Sequence, residues 1–443
     1  MTSMVRVCRS VVRLLVFFAA SLGASASAAD FYVDSTADSA DVTPGNGTCA
    51  AAGGACTLRA AIQEANALAG EDEIYLPEAS YVLTGGPLTI TASLRLYGQG
   101  QPVIDADAKS RAITISAGRA YVGVYMSRVT ITNGLESFGA AGGIRVSANA
   151  GLELVYCRVS HNRSNQAGAG IYSEGYLRLY RSSVNDNETV QTINGGGQTA
   201  NGGGIYSIGE LHVEQSSVVR NVMIRGGGIA NGGQAWISDS TISQNEALNI
   251  GGGILNYGGS SMWIERSTIT ENAIEGLGND PDVGGGGIAT YGYVWLYSTI
   301  LAGNIDPHLL LTNPFAPDCA ELTGTTFTGQ FASSGHNLVG VGDGCGFTPS
   351  DLVGTEASPL DPGLEPLAPW APGETELHAL EPASPALHAG PRCQIPPFPG
   401  TPIPSCYDRD QRGYRRANGT PLETDIGAFE VDATPPQRVL SSP

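Results

Sequence analysis

Three tryptophans, Trp236, Trp263 and Trp295, occupy the same position in three successive sequence blocks. Each is the middle residue of an apolar-x-apolar triplet: Ala235-Trp236-Ile237, Met262-Trp263-Ile264 and Val294-Trp295-Leu296. On a strand, that alternation turns the flanking residues inward and the middle residue outward. An outward column of indoles offers aromatic faces on which sugar rings could stack. The same column runs back through His212, Arg178 and Glu153. Two residues along lies a second outward column: Val155, Tyr180, Glu214, Ser238, Glu265 and Tyr297. Its Glu214 and Glu265 would place hydrogen-bonding groups beside the indoles. The candidate chemistry is therefore carbohydrate recognition. The competing role is structural, because a stacked pair of outward rings stabilises a sheet by about 0.5–1.5 kcal/mol. Cover by inserted loops, or contact with another protein, is also open.

Catalysis would ask for more. Glu214, Asp239, Glu265 and Arg266 fall on neighbouring blocks and offer carboxylates for a hydrolytic pair. Their separation decides between retaining and inverting chemistry, and spacing along the chain does not fix it. A glycosidase of the paired-aspartate type would carry a G-H-G; here Gly335-His336 is followed by Asn337. A calcium-assisted lyase needs clustered acids. The best cluster, Asp280-Pro281-Asp282, reads more readily as a solvated loop. No G-x-S-x-G elbow is present. No catalytic residue, metal ligand or cofactor is assigned on these grounds.

The elements that must position these columns are repeats. Isoleucines Ile144, Ile171, Ile205, Ile229, Ile254 and Ile288 open the blocks, four of them as Gly-Gly-Gly-Ile. Asparagines Asn162, Asn187, Asn221, Asn245, Asn272 and Asn304 close them, 16 or 18 residues later. A fixed core with variable insertions on one side is the signature of a solenoid. Strand-period alternation, with no room for a helix, makes each block one three-sided coil of a right-handed parallel β-helix, an all-β solenoid. The glycines permit positive φ at a corner, and the asparagines tolerate it; stacked amides can bond along the column. In the last coil, Leu296 to Ile300 is four residues where the other coils show five, which reads as a departure from the pattern. Residues 74–304 are expected to form the β-helix, with 29–73 as an N-terminal cap. Within that cap Thr57 can cap a short helix whose Leu58, Ala61, Ile62 and Ala65 share a face. The Pro- and Gly-rich residues 305–443 read as an irregular C-terminal cap.

Residues 1–28 read as a secretory signal: Arg6, Arg9 and Arg13, the apolar run Leu14 to Ala20, then Ala26-Ser27-Ala28. That run is too short to span a membrane, and nothing later is long enough. Loss of the leader takes three arginines and no acids, so 23 basic residues become 20 against 42 acidic ones. Such an excess repels nucleic acid and anionic membranes. Cysteine usage agrees with export. Three close pairs lie outside the repeats and are read as local disulfides: Cys49 with Cys56, Cys319 with Cys345, and Cys393 with Cys406. Proximity is the argument, and other pairings stay open. Cys157 stands where Ser182, Ser216, Ser240 and Ser267 stand, as a small buried member of their stack.

Cys56-Thr57-Leu58-Arg59 followed by Ala61-Ile62 resembles the CSLREA-type motif of secreted bacterial β-helix proteins, with Ala60 in place of the family's glutamate. The C-terminal part resembles their choice-of-anchor Q region. The matching pieces are Gly335 to Gly340, Ser384-Pro385-Ala386, Asp410 to Gly413 and Asp425 to Glu430, while His388 stands where an aspartate is more usual. The glycine-triplet coils resemble the repeats of polymorphic outer-membrane proteins. The resemblance implies a right-handed parallel β-helix, exported or displayed at the cell surface, and carries no catalytic set. The sequence reading is thus an exported, non-enzymatic interaction or adhesin-like module with a polysaccharide or cell-surface ligand. The alternative is a polysaccharide lyase or glycoside hydrolase. Oligomeric state is left open.

Overall fold

The computed structural model describes residues 28–190, 200–275, 284–307, 317–324, 326–370, 375–391, 409–416 and 423–431. Residues 1–27 of the leader, Asp280, Asp282, Cys393 and Cys406 lie outside the described residues. The chain is a right-handed parallel β-helix. Sheet 1 holds the long strands, eleven of them from Asp30–Tyr32 to Gln330–Ser333. Sheet 2, also eleven-stranded, runs from Ser80–Val82 to Leu352–Val353. The expected third side divides at the glycines into sheet 3, from Leu135–Glu136 to Ala273–Ile274, and sheet 4, from Leu88–Ile90 to Cys319–Glu321. Strand pairing therefore continues past Asn304, where the sequence repeat ends. One buried cluster runs through the barrel from Phe31 to Phe331.

The corners follow from local chemistry. The first glycine of each triplet is left-handed, Gly226 at φ 62° for example. Gly228 is small for a different reason: a Cβ there would meet the Gly253 carbonyl at 2.6 Å and the Asn245 amide at 2.9 Å. At the other corner the positive φ falls on the residue before each asparagine, at His161, Asp186, Arg220, Gln244 and Glu271, and not on the asparagine itself. Each asparagine side chain is thereby turned inward. The Nδ2 of Asn187, Asn221, Asn245 and Asn272 donates to the next Oδ1 at 2.9 Å in each case. Each Oδ1 also accepts the backbone N–H of the coil before it. A parallel ladder of hydroxyls runs beside it. Cys157 N–H donates to Ser182 Oγ at 3.0 Å, and the pattern repeats at Ser216, Ser240 and Ser267. Cys157 is buried in that stack, as its position in the repeat suggests.

One coil reading needs correction. Leu301, not Ile300, pairs with Ile269, so the last coil keeps the five-residue step from Leu296. Ile300 faces outward and is buried all the same, because residues from the C-terminal region cover it.

A helix closes the N-terminal end of the β-helix. The helix Leu58–Ala67 is capped by Thr57, whose Oγ1 accepts from Ala60 N at 3.0 Å, and Leu58, Ala61, Ile62 and Ala65 are buried. The C-terminal segment turns back along the outer face of sheet 2. Glu376 N donates to Ser217 Oγ, Thr241 Oγ1 to Gln411 Oε1, and Ala428 N to Thr268 Oγ1. Arg220 pairs with both oxygens of Glu376 at 2.7 Å. The buried Arg416 reaches Asp239 at 3.2 Å. Burial lowers the His378 pKa, and the ring lies 2.8 Å from both Ser243 Oγ and the Glu365 carbonyl. The Arg412 guanidinium sits 3.8 Å from the Phe429 ring centre, 4.6 Å from Tyr414 and 5.0 Å from Trp370. The pairs Cys49–Cys56 and Cys319–Cys345 are disulfides. Among the described residues no helix is long and apolar enough to cross a membrane.

Asn221 lies mid-ladder and is wholly buried. Asn221→Ala strands the N–H groups of Asn187, and each such loss costs about 1–3 kcal/mol. The expected result is a fall in unfolding free energy on the order of 3 kcal/mol in urea. The exposed Gln244→Ala should shift it by under about 0.5 kcal/mol.

Candidate functional site

The outer face of sheet 1 carries both columns in the expected register. Glu153, Arg178, His212, Trp236, Trp263 and Trp295 are successive cross-strand partners. So are Val155, Tyr180, Glu214, Ser238, Glu265 and Tyr297. The residues flanking the indoles, such as Met262 and Ile264, are buried.

Ring orientation limits how a sugar could meet the column. Trp236 and Trp263 have centroids 5.0 Å apart and planes 8° from parallel; Trp263 and Trp295 are 5.0 Å apart at 6°. His212 stacks on Trp236 at 4.8 Å. An indole is too wide to lie flat beside a parallel copy at that distance. The rings stand on edge and cover one another's faces. They do not offer the flat aromatic faces on which sugars were expected to stack. The cause is the strand spacing of about 4.8 Å, which is close to a stacking distance. The ladder's first role is to hold sheet 1 together, and its ring edges face solvent.

The carboxylates are held by arginines. Arg178 donates from Nε and Nη2 to the two oxygens of Glu214, each at 2.8 Å, and from Nη1 to Glu153. The hydrogen-bonded Glu214 raises the Arg178 pKa, and Glu153 adds to it. Glu265 pairs with Arg266 at 2.8 Å. Asp239 is buried between Arg266 at 3.0 Å and Arg416 at 3.2 Å. The four residues considered for a hydrolytic pair are thus ion-paired, and Asp239 belongs to the packing of the C-terminal segment. Glu214 and Glu265 are two strands apart, roughly 9–10 Å by strand spacing, with Ser238 between them on one flat face.

Two features escaped the sequence reading. Glu246 on sheet 3 is in hydrogen-bond contact with Glu275, which pushes its pKa up to about 7 with burial adding. The other is a hollow in sheet 1 floored by Gly123 and Gly151, which face each other on adjacent strands. Here the missed signal was a pair of glycines in a third outward column, which continues as Tyr176, Glu210 and Gln234. Among the described residues no group of three or more His, Cys, Asp or Glu is arranged to hold a metal ion.

Comparison with known proteins gives a single kind of result, a likeness among solved structures. No protein-family model matches the chain, so none supports the CSLREA-type or choice-of-anchor Q resemblance. No curated protein matches it either. Among solved structures, the crystal structure of pectate lyase Pel9A is similar at 15% identity and a TM-score of 0.46. That match covers 92% of this chain and 97% of the lyase.

Trp263 has an indole on each side, so Trp263→Ala removes two stacked pairs. The expected cost is about 1–3 kcal/mol in chemical denaturation. The near-ultraviolet circular dichroism of the coupled indoles should also collapse. Retention of that signal would mean that the rings do not stack.

Proposed function

We propose that this protein is an exported, non-enzymatic binding module that presents the outer face of sheet 1 to an extracellular polysaccharide. One observation carries the reading. Among the described residues the C-terminal segment packs on the outer face of sheet 2 around Ser217, Thr241 and Thr268, while the aromatic and charged columns of sheet 1 stay partly exposed. Two disulfides fit an oxidising compartment. The leader-like residues 1–28 and the large acidic excess fit export as well.

The competing reading is a polysaccharide lyase or glycoside hydrolase, which needs groups free to move protons. Glu214 is held by Arg178 and Glu265 by Arg266, so both carboxylates are engaged in ion pairs. Glu246 and Glu275 touch, whereas retaining pairs stand about 5–5.5 Å apart and inverting pairs about 6.5–9.5 Å. Arg178 would have to lose its proton to act as a base, and its two glutamates pull the other way.

On a glycan array the mature chain should bind a polysaccharide, and the Trp236→Ala/Trp263→Ala double variant, assayed where circular dichroism shows it folded, should bind it more weakly through loss of the solvent-facing ring edges. Size-exclusion analysis of that glycan after prolonged incubation should show no shortening. A shortened or unsaturated product would establish an enzyme instead. Failure to bind any glycan would remove the reading.

A further inference from the structure

The stacked tryptophans leave open where a sugar ring would sit. Gly123 and Gly151 answer this in part. They are cross-strand partners on the outer face of sheet 1; with no side chains they let the Tyr121 ring lie over them, and all three line a hollow of about 150 Å³. Its walls include Tyr121, Tyr125 and Tyr176. Tyr121 is 64% exposed, so its ring is open to solvent in a way the stacked indoles are not. It lies across the floor because Gly151 lets it. A Cβ on Gly151 would come within 2.0 Å of the Tyr121 hydroxyl oxygen.

Polar groups converge on the same hollow. Arg95 lies on its wall, paired with Glu71 at 3.0 Å, and its guanidinium is 5.7 Å from the Tyr125 ring centre. Glu153 completes the wall and is itself held by Arg178. Aromatic rings beside carboxylate acceptors and a guanidinium donor match a pyranose, which has apolar C–H faces and a belt of hydroxyls. Glu71 already engages Arg95 and Glu153 already engages Arg178, and the net charge of −19 adds a long-range repulsion, so a uronate or a sulfated sugar is disfavoured.

We propose that this hollow is a subsite for one neutral hexopyranose residue of a polysaccharide lying along sheet 1. The proposal rests on the reading of sheet 1 as a glycan-binding face. It adds the position of the ring and the charge class of the sugar.

The test is calorimetric titration of the mature chain with cellohexaose, β-1,4-mannohexaose and β-1,4-galactohexaose, with hexagalacturonate as the charged probe. Gly123→Leu fills the floor. A Cβ there meets only the Tyr121 ring edge at 3.3 Å and Ser93 Oγ at 3.9 Å, with no backbone atom within 4 Å. Tyr121→Ala removes the open ring without touching the strand pairing, and serves if Gly123→Leu does not fold. At least one neutral hexamer should bind. Each variant that keeps the wild-type melting temperature should weaken that binding tenfold or more, and hexagalacturonate should bind more weakly than the best neutral probe. If the wild type binds and both folded variants bind within twofold of it, the subsite is wrong while the glycan-binding face stands. If hexagalacturonate binds tightest, the neutral assignment is overturned. If no hexamer binds the wild type, the subsite falls together with the reading beneath it.

Discussion

The structure depends first on a column of buried amides. Each asparagine of the ladder donates to the amide of the next coil and accepts a backbone N–H from the coil before. Those bonds form only when successive coils are aligned residue for residue. A slip of one residue on a parallel sheet would exchange the inner and outer faces. The ladder therefore decides which side chains of sheet 1 reach solvent. It ends at Asp318, whose Oδ1 accepts from Asn304 and whose Oδ2 accepts from Val341 N at 2.7 Å. Burial pushes the Asp318 pKa up to about 6 against those hydrogen bonds. An aspartate suits this place: both oxygens receive N–H donors, and no further asparagine follows to take a donor from it.

With the register fixed, the two long sheets have different fates. Sheet 2 presents short side chains outward, Ser183, Ser217, Thr241 and Thr268, and each is buried. Small hydroxyl residues let the C-terminal segment come close and give it hydrogen-bond partners. The segments that look most like motifs in the sequence serve this packing. Asp410 to Gly413 meets Asp425 to Glu430 through the Arg412–Phe429 contact and the Gln411 N–H on the Ala428 carbonyl. They fasten the chain to itself. Sheet 1 carries long aromatic and charged side chains outward, and among the described residues these stay partly exposed.

Much of this was legible because a strand has period two and the coils keep a constant step from one strand to the next. The outward columns, the asparagine ladder and the small-residue stack at Cys157 all follow from that, and the capping helix follows from Thr57 and the helical spacing of Leu58, Ala61, Ile62 and Ala65. Other features have no local signature. Whether Ile300 or Leu301 points inward cannot be read from two adjacent apolar residues when a distant segment buries the outward one. The indoles were placed in the right column, but their planes were not, because the neighbouring rings set the torsions. The Gly123–Gly151 hollow went unseen because the coil holding Gly123 precedes Ile144 and lacks the glycine triplet that aligns the others. Cover of sheet 2 joins Ser217 to Glu376 and Thr241 to Gln411, contacts too far apart in sequence to leave a pattern.

The central claim is that the chain covers one outer face with its own C-terminal segment and leaves the other for a ligand. Hydroxyl-radical footprinting of the mature protein tests it most directly, with rates normalised to each residue's intrinsic reactivity. Tyr121 and Tyr293 on sheet 1 should be oxidised readily, and Ile300 and Phe429 at the covered face of sheet 2 should be strongly protected. Oxidation of Ile300 and Phe429 as fast as that of Tyr121 and Tyr293 would contradict the account.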